Sequence, residues 1–293
     1  MHSKPTQNMS ANLHRATARR VQRIRPTRSA AEDLTGGMRS LAQAAGLLRA
    51  MTVSRLKMRY RYSLLGWSWA LLQPLSLMII YTLIFSNIIK YSTPDLPYAL
   101  FIFAGLTPWA FCSTAISTAV AGMLSHRSLM ATVYFPREIV PISFVAASLV
   151  DFAIAFAVLL LMMLCYSVRI HITAMLVFPI LGILLILVTA ICLAVSSIQI
   201  RIRDVNVALP LLLQILLFSA PIVYPASAVP QGLRDLYWLN PFAILIQSFR
   251  EAVVGGDVPS LGDLLYCAIV AVTCFLLAYL IFKRIEPTIV DDM

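Results

Sequence analysis

The chain has 293 residues, of which 60% are hydrophobic and 12% charged, with a mean hydropathy of +0.83. No soluble domain of this length can hide that much apolar surface from water, so the expected fold class is an all-α protein of the membrane. The formal charge of +10 does not point to nucleic acid, because 13 of the 23 Lys and Arg precede Gly66 against two acids, Glu32 and Asp33, and charge so placed orients a chain in a bilayer.

Residues 1–39 form a basic tail, with seven Lys or Arg and no acid among the first 31. A transit peptide has that composition. The reading adopted is a disordered tail that touches anionic lipid. Arg19-Arg20 is no twin-arginine signal, since no apolar segment follows before Trp67.

Residues 40–66 are expected to be a cytoplasmic interfacial helix. Leu41, Ala44, Ala45, Leu48 and Met51 recur at helical spacing. Beyond Ser54, Arg55, Lys57, Arg59 and Arg61 alternate with Leu56, Met58, Tyr60 and Tyr62, which scatters positive charge around the helix. That fits a helix sunk among headgroups with its basic side chains reaching outward, or an ordinary positive-inside anchor. In RYRYSLLGWSWALLQP, Arg59 to Pro74, the charge stops at Gly66 and an apolar run begins at Trp67. Lys and Arg cost about 2.5–3.5 kcal/mol each at the bilayer centre, whereas Trp favours the boundary, so Trp67 and Trp69 mark the interface.

About 20 apolar residues cross a bilayer. Six spans are expected on that ruler, at 68–89, 99–122, 142–165, 175–199, 207–224 and 263–282. Residues 67–284 thus form one six-span domain, followed by a cytoplasmic tail at 285–293. With both termini cytoplasmic, 19 Lys and Arg lie inside and four outside, which favours that orientation. Pro241 to Val254 is apolar for too short a stretch to cross and carries Arg250, so it is expected to be re-entrant or interfacial.

Residues able to do chemistry are scarce. Asp151 lies near the middle of the third span with no complementary charge at helical spacing; a structural hydrogen bond to a neighbouring helix would account for it as well as a functional role. His2, His14, His126 and His171 are dispersed, and the five cysteines show no CxxC spacing, so neither a metal site nor a catalytic group is proposed. No GxxxxGK[ST] loop occurs, and energy for work must come from another subunit or an ion gradient.

Two segments stand out between spans. The cytoplasmic stretch SHRSLMATVYFPREIVP, Ser125 to Pro141, contains a short apolar helix candidate, Leu129 to Phe135, then Pro136 and the opposed charges Arg137 and Glu138. An exposed amphipathic segment of that size suits a partner's groove, or else simply rests on the membrane. At the opposite face, PIVYPASAVPQGLRDLYWLNP, Pro221 to Pro241, is dense in proline and aromatics. Irregular backbone at membrane depth must be covered by protein or line a wet cavity, and with the short helix after it the segment makes a lid over an exit. Tyr224, Tyr237 and Trp238 serve equally as interfacial aromatics.

In order, RYRYSLLGWSWALLQPL, FPREIVPI, RIRDVN, YWLNPF and FKRIEPTIVDDM make the chain resemble the membrane subunit of ABC-2 type exporters, in particular the permeases of O-antigen, capsular and teichoic acid polysaccharides, over about residues 40–293. The resemblance implies a homodimer in the cell inner membrane, two copies of an ABC-type ATP-binding subunit, and a lipid-linked glycan as cargo. It implies no cofactor on this chain, with ATP and Mg used by the partner. It makes Leu129, Met130, Tyr134, Phe135, Pro136, Arg137 and Glu138 a coupling segment. The outer-gate candidates become Pro221, Tyr224, Tyr237, Trp238, Asn240, Pro241 and Arg250. Sugars stack their C–H faces on aromatic rings and offer hydroxyls to rotatable polar groups. Candidates for the path are therefore Tyr81 and Phe85 in the first span, Trp109 and Phe111 in the second, and Gln214 and Phe218 in the fifth. An exporter of drugs or simple lipids is the alternative, and a membrane-embedded polyprenyl-linked sugar transferase lacks the clustered acids it needs.

Overall fold

The computed structural model describes residues 45–61, 68–88, 96–126, 130, 135–202 and 204–286, all in helices or the turns between them and without a strand. Helix α1 (Ala45–Arg61) precedes α2 (Trp69–Thr82), which continues to Ile88 as a π-turn. Then come α3 (Tyr98–Ser125), α4 (Ile139–Cys165) and α5 (Val177–Arg201) behind a short 3-10 turn, Ile172–Leu176. Helix α6 (Val205–Phe218) leads through 3-10 turns to α7 (Arg234–Trp238), α8 (Pro241–Arg250) and a π-turn ending at Gly255. The last is α9 (Leu261–Ile285). The expected N-terminal tail and residues 287–293 of the C-terminal one, with Leu41, Ala44, Trp67, Leu129 and Tyr134, lie outside the described residues.

Among the described residues, four helices, α3, α4, α5 with its leading turn, and α9, are long and apolar enough to cross a membrane. The first and fifth expected spans are shorter apolar helices, Leu71–Phe85 and Val205–Phe218. At 1.5 Å per residue the 14 residues of α6 reach ~21 Å, against about 30 Å of hydrocarbon. Its expected continuation to residue 224 fails for a local reason. Pro221 has no N–H to donate and disfavours helical backbone at Ala220, so the helix stops at Phe218 and 219–224 become a turn.

Helix α3 is the centre of the molecule, buried along most of its length, while α9 is the most exposed of the four long helices. It packs along α4, and α5 packs along α9. Phe111 of α3, Phe152 and Phe156 of α4 and Phe249 of α8 form one aromatic cluster with ring centroids 5.9–6.1 Å apart, so the short helix α8 is built into the core and does not merely rest on it. Gly256 closes the unit at φ +74°, where a Cβ would also meet the His171 ring at 2.6 Å.

Candidate translocation groove and its flanking charge networks

Between α2, α3 and α6 lies a groove of about 250 Å³, lined by Gln73, Trp109, Ser113, Ser117 and Gln214 together with Pro74, Leu106, Pro210, Leu213 and Leu217. Pro74 in α2 and Pro210 in α6 face it, each where a helix loses one backbone donor. Of the path residues expected from sequence, the structure brings Trp109 and Gln214 together here. Phe111 belongs elsewhere: it is 1% exposed and packs edge-on against Phe152, because it lies two residues past Trp109 on the opposite face of α3. Tyr81 meets Phe85 edge-on and Phe85 stacks on Tyr98, with centroids 6.4 and 6.2 Å apart, and Phe218 is exposed at the end of α6.

Across α2 from the groove, α1 is fastened to α4 by two arginines one turn apart. Arg55 is buried, donates through Nε to the Ser143 hydroxyl at 2.7 Å, and sets its guanidinium 3.2 Å from the Phe144 ring centroid. Burial lowers its pKa to about 10, which leaves it charged at neutral pH. Arg59 reaches Asp151 at 2.6 Å. The intramembrane acid therefore has a cationic partner, in a cleft that Gln73, Thr107 and Thr114 also line. Sequence spacing did not show this, since the partner comes from another helix. A signal was present all the same: an acid within a span needs a cation, and the α1 arginines are the dense local source. The basic residues of α1 are thus divided between surface and interior, and not all reach outward.

The expected coupling segment also turns inward. Met130 and Phe135 are 3% and 9% exposed, in a cluster with Met123, Val140, Leu193, Tyr279 and Phe282. Arg137 and Glu138, expected as an exposed pair, instead take separate partners on the C-terminal end of α9. Arg137 donates to the Glu286 carbonyl. Glu138 is fully buried, 2.8 Å from the Lys283 ammonium, which also holds Glu286 at 3.0 Å; the Tyr279 hydroxyl donates to Glu138 at 3.5 Å. The cause is packing: Pro136 opens the chain, and the first turn of α4 then lies against α9, where an unpaired carboxylate would be costly.

At the other end, residues 219–223 leave their carbonyls without helical partners, and side chains supply donors. Asn240 caps α8 by accepting from the Phe242 N–H at 3.0 Å while its amide donates to Ser219 at 3.3 Å (carbonyl) and 3.1 Å (hydroxyl). Arg250 donates to the Pro221 carbonyl at 2.6 Å and the Ile222 carbonyl at 3.3 Å, and to Gln247 at 3.1 Å. The Tyr98 hydroxyl donates to the Val223 carbonyl at 2.6 Å. Of the expected gate residues, Pro221, Asn240 and Arg250 meet at this turn. Tyr224, Tyr237 and Trp238 form an outer aromatic row with centroids 6.4 and 5.7 Å apart, and Pro241 starts α8 as its first helical residue. Burial pushes the Tyr237 phenol upward from its ordinary value.

Proteins with named roles in export are similar to this chain over most of its length. A Myxococcus xanthus O-antigen export system permease protein, RfbA, is 29% identical over 84% of this chain and 95% of its own length. A Klebsiella pneumoniae RfbA is 25% identical over 82% and 92%. The Escherichia coli polysialic acid transport protein KpsM is 24% identical over 84% and 95%. The ABC-2 type transporter family matches residues 46–254, from α1 into the π-turn that follows α8, and the chain belongs to that family.

Proposed function

We propose that this chain is the permease subunit of an ATP-driven exporter that carries a lipid-linked polysaccharide of the O-antigen, capsular or teichoic acid type across the cell inner membrane. The groove between α2, α3 and α6 carries that reading. Trp109 gives a face for sugar C–H groups, and Gln73, Ser113, Ser117 and Gln214 exchange hydrogen bonds with successive hydroxyls without holding any one of them tightly. A hydrophobic drug gains nothing from four polar side chains in a membrane groove. The names of the relatives, O-antigen export permeases and a polysialic acid transport protein, point the same way.

Two copies of the chain assemble with two copies of an ABC-type subunit that binds ATP and Mg. The N- and C-termini face the cytoplasm, with α2 and α6 completing six spans. The segment from Leu129 to Glu138 receives the partner's motion. Because Glu138 is tied to Lys283 and Arg137 to the Glu286 carbonyl, a push there moves α9 together with α4. Residues 221–254 close the outer end at rest.

Purified permease and partner ATPase, reconstituted with a fluorescent lipid-linked glycan, test the proposal. Gln214→Ala combined with Ser113→Ala is expected to lower glycan-stimulated ATP hydrolysis while basal hydrolysis stays unchanged. Stimulation by apolar drugs but not by glycan, in the parent complex, would overturn it.

A further inference from the structure

Arg250 occupies a socket that needs glycine opposite it. The residue is 4% exposed, its guanidinium lies 3.8 Å from the Phe101 ring centroid of α3, and a Cβ on Gly105, one helical turn along, would stand 2.5 Å from Nη2. The same Cβ would lie 3.3 Å from both the Cα and the carbonyl oxygen of Ile222. Thus α3 contributes a ring, an empty position and, through Tyr98, a hydroxyl, while α8 contributes the cation and the capping amide of Asn240. Between them the carbonyls of Ser219, Pro221, Ile222 and Val223 are all bound by side chains.

We propose that Arg250 is a rivet and not a latch. It fixes the 219–223 turn, α8 and the Tyr98–Gly105 end of α3 into one rigid lid, and Gly105 is the positioning residue that makes room for it. Resting on the reading of this segment as an outer gate, the inference names where the gate moves. The exit opens between this lid and a neighbouring surface, never within the lid. The reason is electrostatic. Pulling the turn from α8 would strand the Arg250 guanidinium and its carbonyl acceptors, and pulling it from α3 would strand the Tyr98 hydroxyl and the Val223 carbonyl, each of which costs far more than parting apolar surfaces in lipid.

A disulfide can replace the rivet. In a permease whose native Cys112, Cys165, Cys192, Cys267 and Cys274 are substituted, Gly105→Cys with Ile222→Cys places one Cβ 3.3 Å from the other residue's Cα, so the two Cα atoms lie well inside the ~7 Å beyond which no bridge closes. The bridge displaces the guanidinium yet ties the turn to α3, while the Asn240 amide still ties α8 to the turn at Ser219. In the reconstituted complex, Gly105→Ala is expected to raise resting ion conductance and lower export. The oxidised double variant is expected to export like its cysteine-free parent, and reduction to bring back the Gly105→Ala behaviour. Blocked export with the bridge complete would show that this contact opens each cycle and overturn the rivet, as would a Gly105→Ala permease as tight and active as the parent. Should Gly105→Ala not assemble, the oxidised pair still decides. Resting conductance is measured without glycan, so an error about cargo leaves the outcome readable.

Discussion

Removing either member of the buried Glu138–Lys283 pair is expected to destabilise the permease, unequally. Taking one partner from a buried ion pair costs about 3–5 kcal/mol, because the other charge is left unpaired in low dielectric. Glu138→Gln falls at the lower end, about 3 kcal/mol, because Lys283 is 17% exposed and keeps Glu286 at 3.0 Å. Lys283→Met falls at the upper end, about 5 kcal/mol, because Glu138 is 0% exposed and, among the described residues, keeps the 3.5 Å hydroxyl of Tyr279 alone. At about 2–4 °C per kcal/mol for a chain of this class, the midpoints drop by roughly 6–12 °C and 10–20 °C. The assay is thermal unfolding of the purified permease in nanodiscs, followed by tryptophan fluorescence at one scan rate. Glu138→Leu with Lys283→Met, an apolar pair of similar volume, is expected to recover most of the loss, since what destabilises is the stranded charge. Single variants within about 2 °C of the parent, or a larger loss for Glu138→Gln than for Lys283→Met, would refute the reasoning.

Phe111→Ala should cost about 3–5 kcal/mol by opening a cavity against Phe152. Gln214→Ala, at an exposed groove position, should stay within about 0.5 kcal/mol of the parent in the same unfolding assay and lower glycan export. Asn240→Ala removes a cap and the link to Ser219, and should cost about 0.5–2 kcal/mol and speed hydrogen exchange at the Phe242 amide. Asn240→Asp keeps the cap acceptor and should lie between. Because the Arg59 side chain is 41% exposed, its coupling to Asp151 in a double-mutant cycle should be about 0.2–1 kcal/mol and shrink with salt; a value near that of a buried pair would show the cleft to be dry.

What was legible in the sequence was whatever depends on neighbours along the chain. Apolar length located α3, α4, α5 and α9 to within a few residues, and a short apolar run beginning at Asn240-Pro241 marked α8 as too brief to cross. Trp109 and Gln214, named from sequence for their side-chain types, line one groove in the structure. Illegible were the pairings across the bundle. Arg59 meets Asp151 only once α1 lies on α4, and Glu138 meets Lys283 only once the start of α4 reaches the end of α9; an opposed pair read along the chain gives the wrong degree of exposure for Glu138. Gly105 gave no signal, since its role is the space left for an arginine from another helix.

Transport itself is the most direct test. The permease, its partner ATPase and a lipid-linked glycan are reconstituted in vesicles with ATP and Mg supplied at the ATPase face, and glycan reaching the opposite face is scored by its susceptibility to an impermeant glycan hydrolase. Protection is expected to be lost only when both subunits and hydrolysable ATP are present, and to be kept with a nonhydrolysable analogue. Glycan crossing with the permease alone, or ATP hydrolysis stimulated by the permease with no glycan crossing, would contradict the account.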